Sequence, residues 1–263
     1  MQRCTIHAIA ALLDTVTAKA SWMPKPSVDD LPDSTRESTI ELPDHSDYLV
    51  RNGLSLNVMK DAAKLIEYGQ EFSRLREEPI TVLEIGVKTG ASIRLWQRYF
   101  PNARIVGVDI RPRELSNAKR IVLVQGDQSD RSFLERLARD YGPFGLIIDD
   151  GSHVPSHQIL TFEALFPHLL SGGVYVCEDV HTSLTKYPKE TSAIDYFSSF
   201  VGPLMSRKHA DRMQMDRSLW GAVVKVAFIQ RAVMLVKRGR GSKYWKRELH
   251  KLNTTSPTSS DQA

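Results

Sequence analysis

Cysteine is scarce. Cys4 and Cys177 are the two thiols in 263 residues, too few for a disulfide framework or a cysteine-rich zinc cluster. Cys177 lies within an apolar run, where a free thiol behaves as a small hydrophobe, and this usage points to a reducing, cytoplasmic setting. Long apolar runs are also missing. None approaches the roughly 18 residues that a membrane-spanning helix needs, so no membrane contact is expected. Residues 1–20 have the outline of a weak signal peptide (Arg3, then Ile6 to Leu13, then Ala18-Lys19-Ala20), but His7 and Asp14 interrupt it. An amphipathic helix accounts for the segment better. Broadly distributed basic charge is lacking as well. The net charge is +4, and residues 237–251 hold seven Lys/Arg against Glu248 alone. That pattern reads as a solvated basic tail, and nucleic acid is not the expected partner. The chain shows no internal repeat, no G-x-G-x-x-G fingerprint and no P-loop, because Lys88 precedes Gly90 instead of following it.

What is present is an alternation. Residues 1–55 read as a helix followed by an irregular arm carrying Pro24, Pro26, Pro32 and Pro43, and residues 241–263 as a basic, largely disordered tail. Between them, residues 56–240 form one domain. Helical spacing over Leu56 to Leu75 is followed by strands expected at 80–85, 104–109, 120–125, 144–149 and 173–178. Helices are expected at 90–100, 129–140, 156–170 and 191–201. Strands separated by helical patterns of this length pair in parallel through right-handed crossovers. Val223 to Ile229 and Ala232 to Lys237, joined at Gln230-Arg231, add an antiparallel hairpin at the end. The fold class is therefore α/β, a Rossmann-like, seven-stranded, mostly parallel sheet with helices on both faces.

Chemistry collects at strand ends. The run Leu146 to Ile148 stops at Asp149-Asp150-Gly151-Ser152-His153, and the next stops at Cys177-Glu178-Asp179. Open parallel sheets bind ligands in the crevice beyond such ends. Strand alternation turns Asp149 away from Asp150, toward the sheet or the cofactor side. A helix cap near Pro155 would explain one of these carboxylates but not four. On the other side, Gly86 and Gly90 flank the first strand-to-helix turn, where missing side chains let a ligand approach backbone N–H groups. Asp109 ends the second strand 25 residues after Glu84, placed to accept from ribose hydroxyls. Gly126-Asp127-Gln128-Ser129 ends the third, with an amide and a carboxylate suited to holding a nucleobase. Each acid alone could equally be a cap; three consecutive strand ends favour a nucleoside site.

The motif Glu84-x-Gly86-x-x-x-Gly90, with Asp109 and Gly126-Asp127, resembles the cofactor motifs of class I S-adenosylmethionine-dependent methyltransferases. More narrowly, residues 82–183 are similar to metal-dependent sugar O-methyltransferases of macrolide and related antibiotic biosynthesis. The residues carrying that resemblance are Ile148-Asp-Asp-Gly-Ser-His153, Phe166-Pro-x-Leu169, Gly172-Gly173, Glu178-Asp179 and Thr182-Ser183. The resemblance implies Mg²⁺ held by Asp150, Glu178 and Asp179, His153 as catalytic base, and S-adenosylmethionine bound along Glu84, Gly86, Gly90, Asp109, Asp127, Gln128 and Asp149. The expected acceptor is a small hydroxylated molecule, such as a sugar of a glycosylated natural product. His157, four residues after His153, raises a weaker zinc alternative. A cephalosporin-tailoring-like acceptor, suggested by Gly90-Ala-Ser-Ile-Arg-Leu-Trp96, and a non-catalytic cofactor-binding protein docking through its basic tail remain as alternatives. Assembly into a homo-oligomer is left open.

Overall fold

The computed structural model describes residues 44–112, 115, 119–189, 191–206 and 217–239. The N-terminal helix read at 1–20, most of the proline-rich arm and the basic tail beyond residue 239 lie outside the described residues.

The five parallel strands run where the apolar runs placed them, within a residue for four of the five. They are β1 Thr81–Ile85, β2 Arg104–Asp109, β3 Ile121–Gln125, β4 Phe144–Asp149 and β5 Leu169–Cys177, followed by the hairpin β6 Val223–Ile229 and β7 Ala232–Lys237. The sheet order is β3-β2-β1-β4-β5-β7-β6, with β7 antiparallel to both neighbours. Strand order reverses between β1 and β4, whose register sets Ile85 beside Asp149. That switch point is where an open sheet leaves a crevice. β5 differs from expectation, since it starts at Leu169 and the preceding helix stops at Leu165, followed by a short 3₁₀ turn Phe166–His168. Pro167 cannot donate a backbone hydrogen bond and closes the helix early. The register shift between Phe144 and Leu146 then takes up the extra residues.

Alternation divides the core into two layers. Leu83, Ile85, Val106, Val108, Ile147 and Tyr175 point to one face. That face is covered by α4 (Arg131–Tyr141), α5 (Pro155–Leu165) and the short α7 (Ala193–Ser198). Val82, Ile105, Leu146, Ile148, Val174 and Val176 point to the other, under α1 (Asp44–Ser55), α2 (Ala62–Phe72) and α3 (Ala91–Tyr99). There Tyr68 stacks on Phe72 with ring centroids 5.0 Å apart, and Phe72 meets Trp96 edge-on. Fully burying side chains of this size contributes about 1.5–3 kcal/mol each. α1 is a correction, because its residues had been read as irregular arm and the end of the connector; Leu49 is fully buried against this layer. The helix expected over 191–201 is two short ones, α7 and α8 (Val201–Met205), with α6 (Thr182–Thr185) before them and α9 (Arg217–Trp220) after. No helix among the described residues is long and apolar enough to cross a membrane.

Candidate functional site

A cavity of about 490 Å³ opens at the carboxyl ends of β1, β2, β4 and β5, with Lys60, Gly86, Asp109, Asp150, His153 and Asp179 on its wall. One side of it is the turn after β1. Gly86 has φ +91° and Gly90 φ +78°, left-handed conformations that glycine adopts without penalty. A Cβ on Gly86 would lie 2.1 Å from the carbonyl oxygen of Asp150. The two loops therefore touch backbone to backbone. Asp109 braces this turn: one carboxylate oxygen accepts from the N–H groups of Val87 and Lys88, both at 3.0 Å, and the other from Arg111 N–H at 2.9 Å. Burial opposes ionisation of Asp109, but these backbone donors hold its carboxyl below the usual range.

The other residues expected on the cofactor side sit differently. Glu84 is fully buried within β1 and accepts from Ser92 Oγ at 2.8 Å. Asp127 is exposed and takes the Ser129 N–H at 2.8 Å, closing its own turn. Gln128 and Asp149 are buried behind the wall. Gln128 Nε2 donates to Asp149 Oδ1 and Thr161 Oγ1, its Oε1 accepts the Ser152 N–H, and Asp149 Oδ2 faces Tyr175 OH at 3.4 Å. Together they form a buried clamp under the Asp150–His153 loop. Burial is the main reason that the Asp149 carboxyl is raised to about 7.

Next to the turn after β1, the strand ends of β4 and β5 bring Asp150, His153 and Asp179 together. One ligand atom from each lies within 4.8 Å of the others, and His153 Nε2 is 3.7 Å from Asp179 Oδ2. Both His153 (φ +57°) and Asp179 (φ +53°) are left-handed, a cost of order 1 kcal/mol or more for a non-glycine residue. The strain aims both side chains at one point. His157, by contrast, sits on α5 with its Nδ1 3.0 Å from Ser152 Oγ and outside the group that could hold a metal.

Glu178 is not exposed to that point as expected. Its Oε1 accepts from Lys60 Nζ at 2.5 Å and its Oε2 from Lys64 Nζ at 2.7 Å. Lys60 Nζ also lies 2.7 Å from Asp150 Oδ2 and 3.6 Å from Glu84 Oε1. Burial alone would raise the Glu178 carboxyl, but the two ammonium groups overcome it and hold it down to about 2. Asp150 is pushed up, chiefly by burial and by the Glu178 charge, with Lys60 opposing. Neither lysine carries a local sequence signal of burial. Parity was the available signal, since Glu84, Asp150 and Glu178 all fall on the face that α2 covers, with Lys64 in the first turn of that helix and Lys60 just before its N-cap Asp61. Two carboxylates beside an imidazole suit a hard dication with water completing its shell, so Asp150 and Asp179 would fit magnesium, although Lys60 engages Asp150 Oδ2. Glu178 joins them only if Lys60 withdraws.

Parts of the chain are similar to known proteins. Residues 83–180 match a family described as a methyltransferase domain. The chain is 45% identical over 123 residues to an 8-demethyl-8-(2-methoxy-alpha-L-rhamnosyl)-tetracenomycin-C 3'-O-methyltransferase of Streptomyces olivaceus, covering 44% of this chain and 32% of that protein. It is equally similar over 123 residues to the mycinamicin VI 2''-O-methyltransferase of Micromonospora griseorubida, covering 31% of it. The match thus spans about a third of the length of these curated relatives. Among solved structures, the MycE methyltransferase in complex with Mg, SAH and mycinamycin VI superposes with a TM-score of 0.64 at 29% identity. That match covers 74% of this chain and 54% of MycE.

Proposed function

We propose that this methyltransferase domain moves a methyl group from S-adenosylmethionine to a hydroxyl of a small glycosylated molecule, with Mg²⁺ held at Asp150 and Asp179. The observation that carries the reading is the meeting of Asp150, His153 and Asp179 on one cavity wall, facing the Gly86–Gly90 turn. Relatives named as O-methyltransferases of a rhamnosyl-tetracenomycin and of mycinamicin VI and a solved neighbour in complex with Mg and SAH support it.

The methyl donor brings its own leaving group, so the hard part is the alcohol, which must lose a proton as it attacks. A bound dication supplies Lewis acidity that lowers the pKa of that hydroxyl. His153 would take the proton at Nε2, which lies 3.7 Å from Asp179 Oδ2, close enough for that carboxylate to stabilise the imidazolium that forms. Gly86 and Gly90 supply the two left-handed φ values that shape the first turn, against which the cofactor would lie. Asp109 holds that turn and would be placed to accept from the ribose, while Gln128 and Asp149 act from behind by fixing the Asp150–His153 loop. The test is transfer of an isotope-labelled methyl group into rhamnosylated or other glycosylated acceptors, with and without chelator. Turnover should vanish with chelator and return with Mg²⁺, while calorimetry still shows S-adenosylhomocysteine binding. Full activity in excess chelator would remove the metal from the reading.

A further inference from the structure

We infer that Lys60 is an internal counter-cation of the carboxylate cluster, and that a divalent cation binds by displacing its Nζ from between Asp150 and Glu178. The inference rests on the metal reading above and concerns a residue that the reading itself does not use.

Three observations carry it. First, Lys60 Nζ bridges the carboxylates that close β4 and β5, at 2.7 Å from Asp150 and 2.5 Å from Glu178, and its side chain is only 2% exposed. An ammonium is kept in so dry a place only when carboxylates pair it. It occupies the space between two of the three carboxylates expected to share an ion, and two cations cannot share Asp150 Oδ2. Second, Glu178 does not depend on Lys60 alone. Lys64 Nζ holds its other oxygen at 2.7 Å and approaches Asp179 Oδ1 at 3.5 Å. With Lys60 withdrawn, Glu178 stays in place with Oε1 free. The charges of Lys64 and a dication then balance those of Asp150, Glu178 and Asp179. Third, Lys60 has somewhere to go. It precedes Asp61, the N-cap of α2, and lines the cavity. Beside it Met59 is 81% exposed. Its stem can swing outward without unwinding a helical turn.

Mn²⁺ titration of the full chain by calorimetry tests this, comparing wild type with Lys60→Met, which keeps the stem length and removes the charge. Binding should tighten about tenfold or more, the lower end of the coupling between close charge pairs. A lysine that merely supports the fold would leave affinity unchanged or weaken it, and that result overturns the inference while the metal reading stands. Absence of Mn²⁺ binding in both proteins overturns the two together. Should Lys60→Met fail to fold, acetylation of wild type by acetic anhydride, read by peptide mass, gives the answer. Mn²⁺ should raise the rate at Lys60 severalfold as Nζ leaves the cluster; a rate unchanged or lowered overturns the inference.

Discussion

Thr182 Oγ1 donates a 2.7 Å hydrogen bond to the carbonyl oxygen of His153. The bond ties the loop after β5 to the loop after β4, next to the two left-handed residues that face each other there. Thr182→Val keeps the shape and removes the donor, leaving a half-buried carbonyl short of a partner at a cost of about 1–3 kcal/mol. Turnover should fall by about tenfold or more through loss of the His153 aim, with S-adenosylhomocysteine affinity kept. Thr182→Ser should restore both stability and turnover. Wild-type turnover in the valine variant would show that the loops hold without this bond.

His153 is the residue through which the proton leaves in the proposed mechanism. His153→Asn is the informative change, because asparagine tolerates the left-handed backbone at φ +57° better than alanine does. Turnover should drop by roughly 10² to 10⁴, the range for a lost general base, across pH 6 to 9 in labelled-methyl assays. Cofactor affinity should be unchanged. Wild-type rates at all pH values would leave proton removal to the metal and solvent.

The strand ends were readable because chemistry there interrupts composition sharply. β4 ends at Asp149, where the apolar run stops, and parity alone separated Asp149 from Asp150. The start of β5 was hidden, since Leu169 and Leu170 extend the apolar spacing of α5 past Pro167. α1 was hidden by the prolines before it, its one strongly apolar stretch being short. The lysine pair was the costliest omission. Lys60 and Lys64, four residues apart, look locally like a solvated helix face, and only the placement of three acidic strand ends beneath them makes them buried partners. Thr182 was noted as part of a motif, but its bond to a carbonyl 29 residues earlier has no local signature.

Gly86 is the point where the turn after β1 and the loop after β4 touch. Gly86→Ala would set a Cβ 2.1 Å from the Asp150 carbonyl oxygen and 2.9 Å from Gly151 Cα, against backbone that cannot rotate away, and would strain the left-handed φ. A loss of about 1–3 kcal/mol is expected from the backbone conformation alone. The larger effect should be on function: calorimetry with S-adenosylhomocysteine should show affinity down at least about tenfold while circular dichroism still reports a folded chain. Gly90→Ala should be milder, because the nearest atoms its Cβ would meet belong to the Leu115 side chain, which can move, rather than to backbone. Equal effects at the two glycines would contradict the backbone contact as the reason.

Glu84 makes stability depend on pH in a direction opposite to that of most carboxylates. It is fully buried in β1, with Ser92 Oγ on one oxygen and Lys60 Nζ 3.6 Å from the other, which has no hydrogen-bond partner. Burial dominates, and although Lys60 and Ser92 oppose it, the carboxyl is raised from 4.5 to about 7. Between those values the folded chain keeps a proton that the unfolded chain has released. The contribution of Glu84 is therefore fully present below about pH 4.5 and is lost as pH rises toward 7, at up to about 1.4 kcal/mol per pH unit. Glu178, held down to about 2, acts in the opposite sense and only below about pH 4.5, so the two windows do not overlap. Glu84→Gln keeps a carbonyl for Ser92 and leaves Lys60 paired with Asp150 and Glu178. In urea denaturation without divalent ions, the variant should match wild type near pH 4.5 and become progressively more stable up to pH 7.5. Parallel curves for the two proteins over that range would mean that Glu84 ionises normally despite its burial, and that Lys60 answers its charge in full.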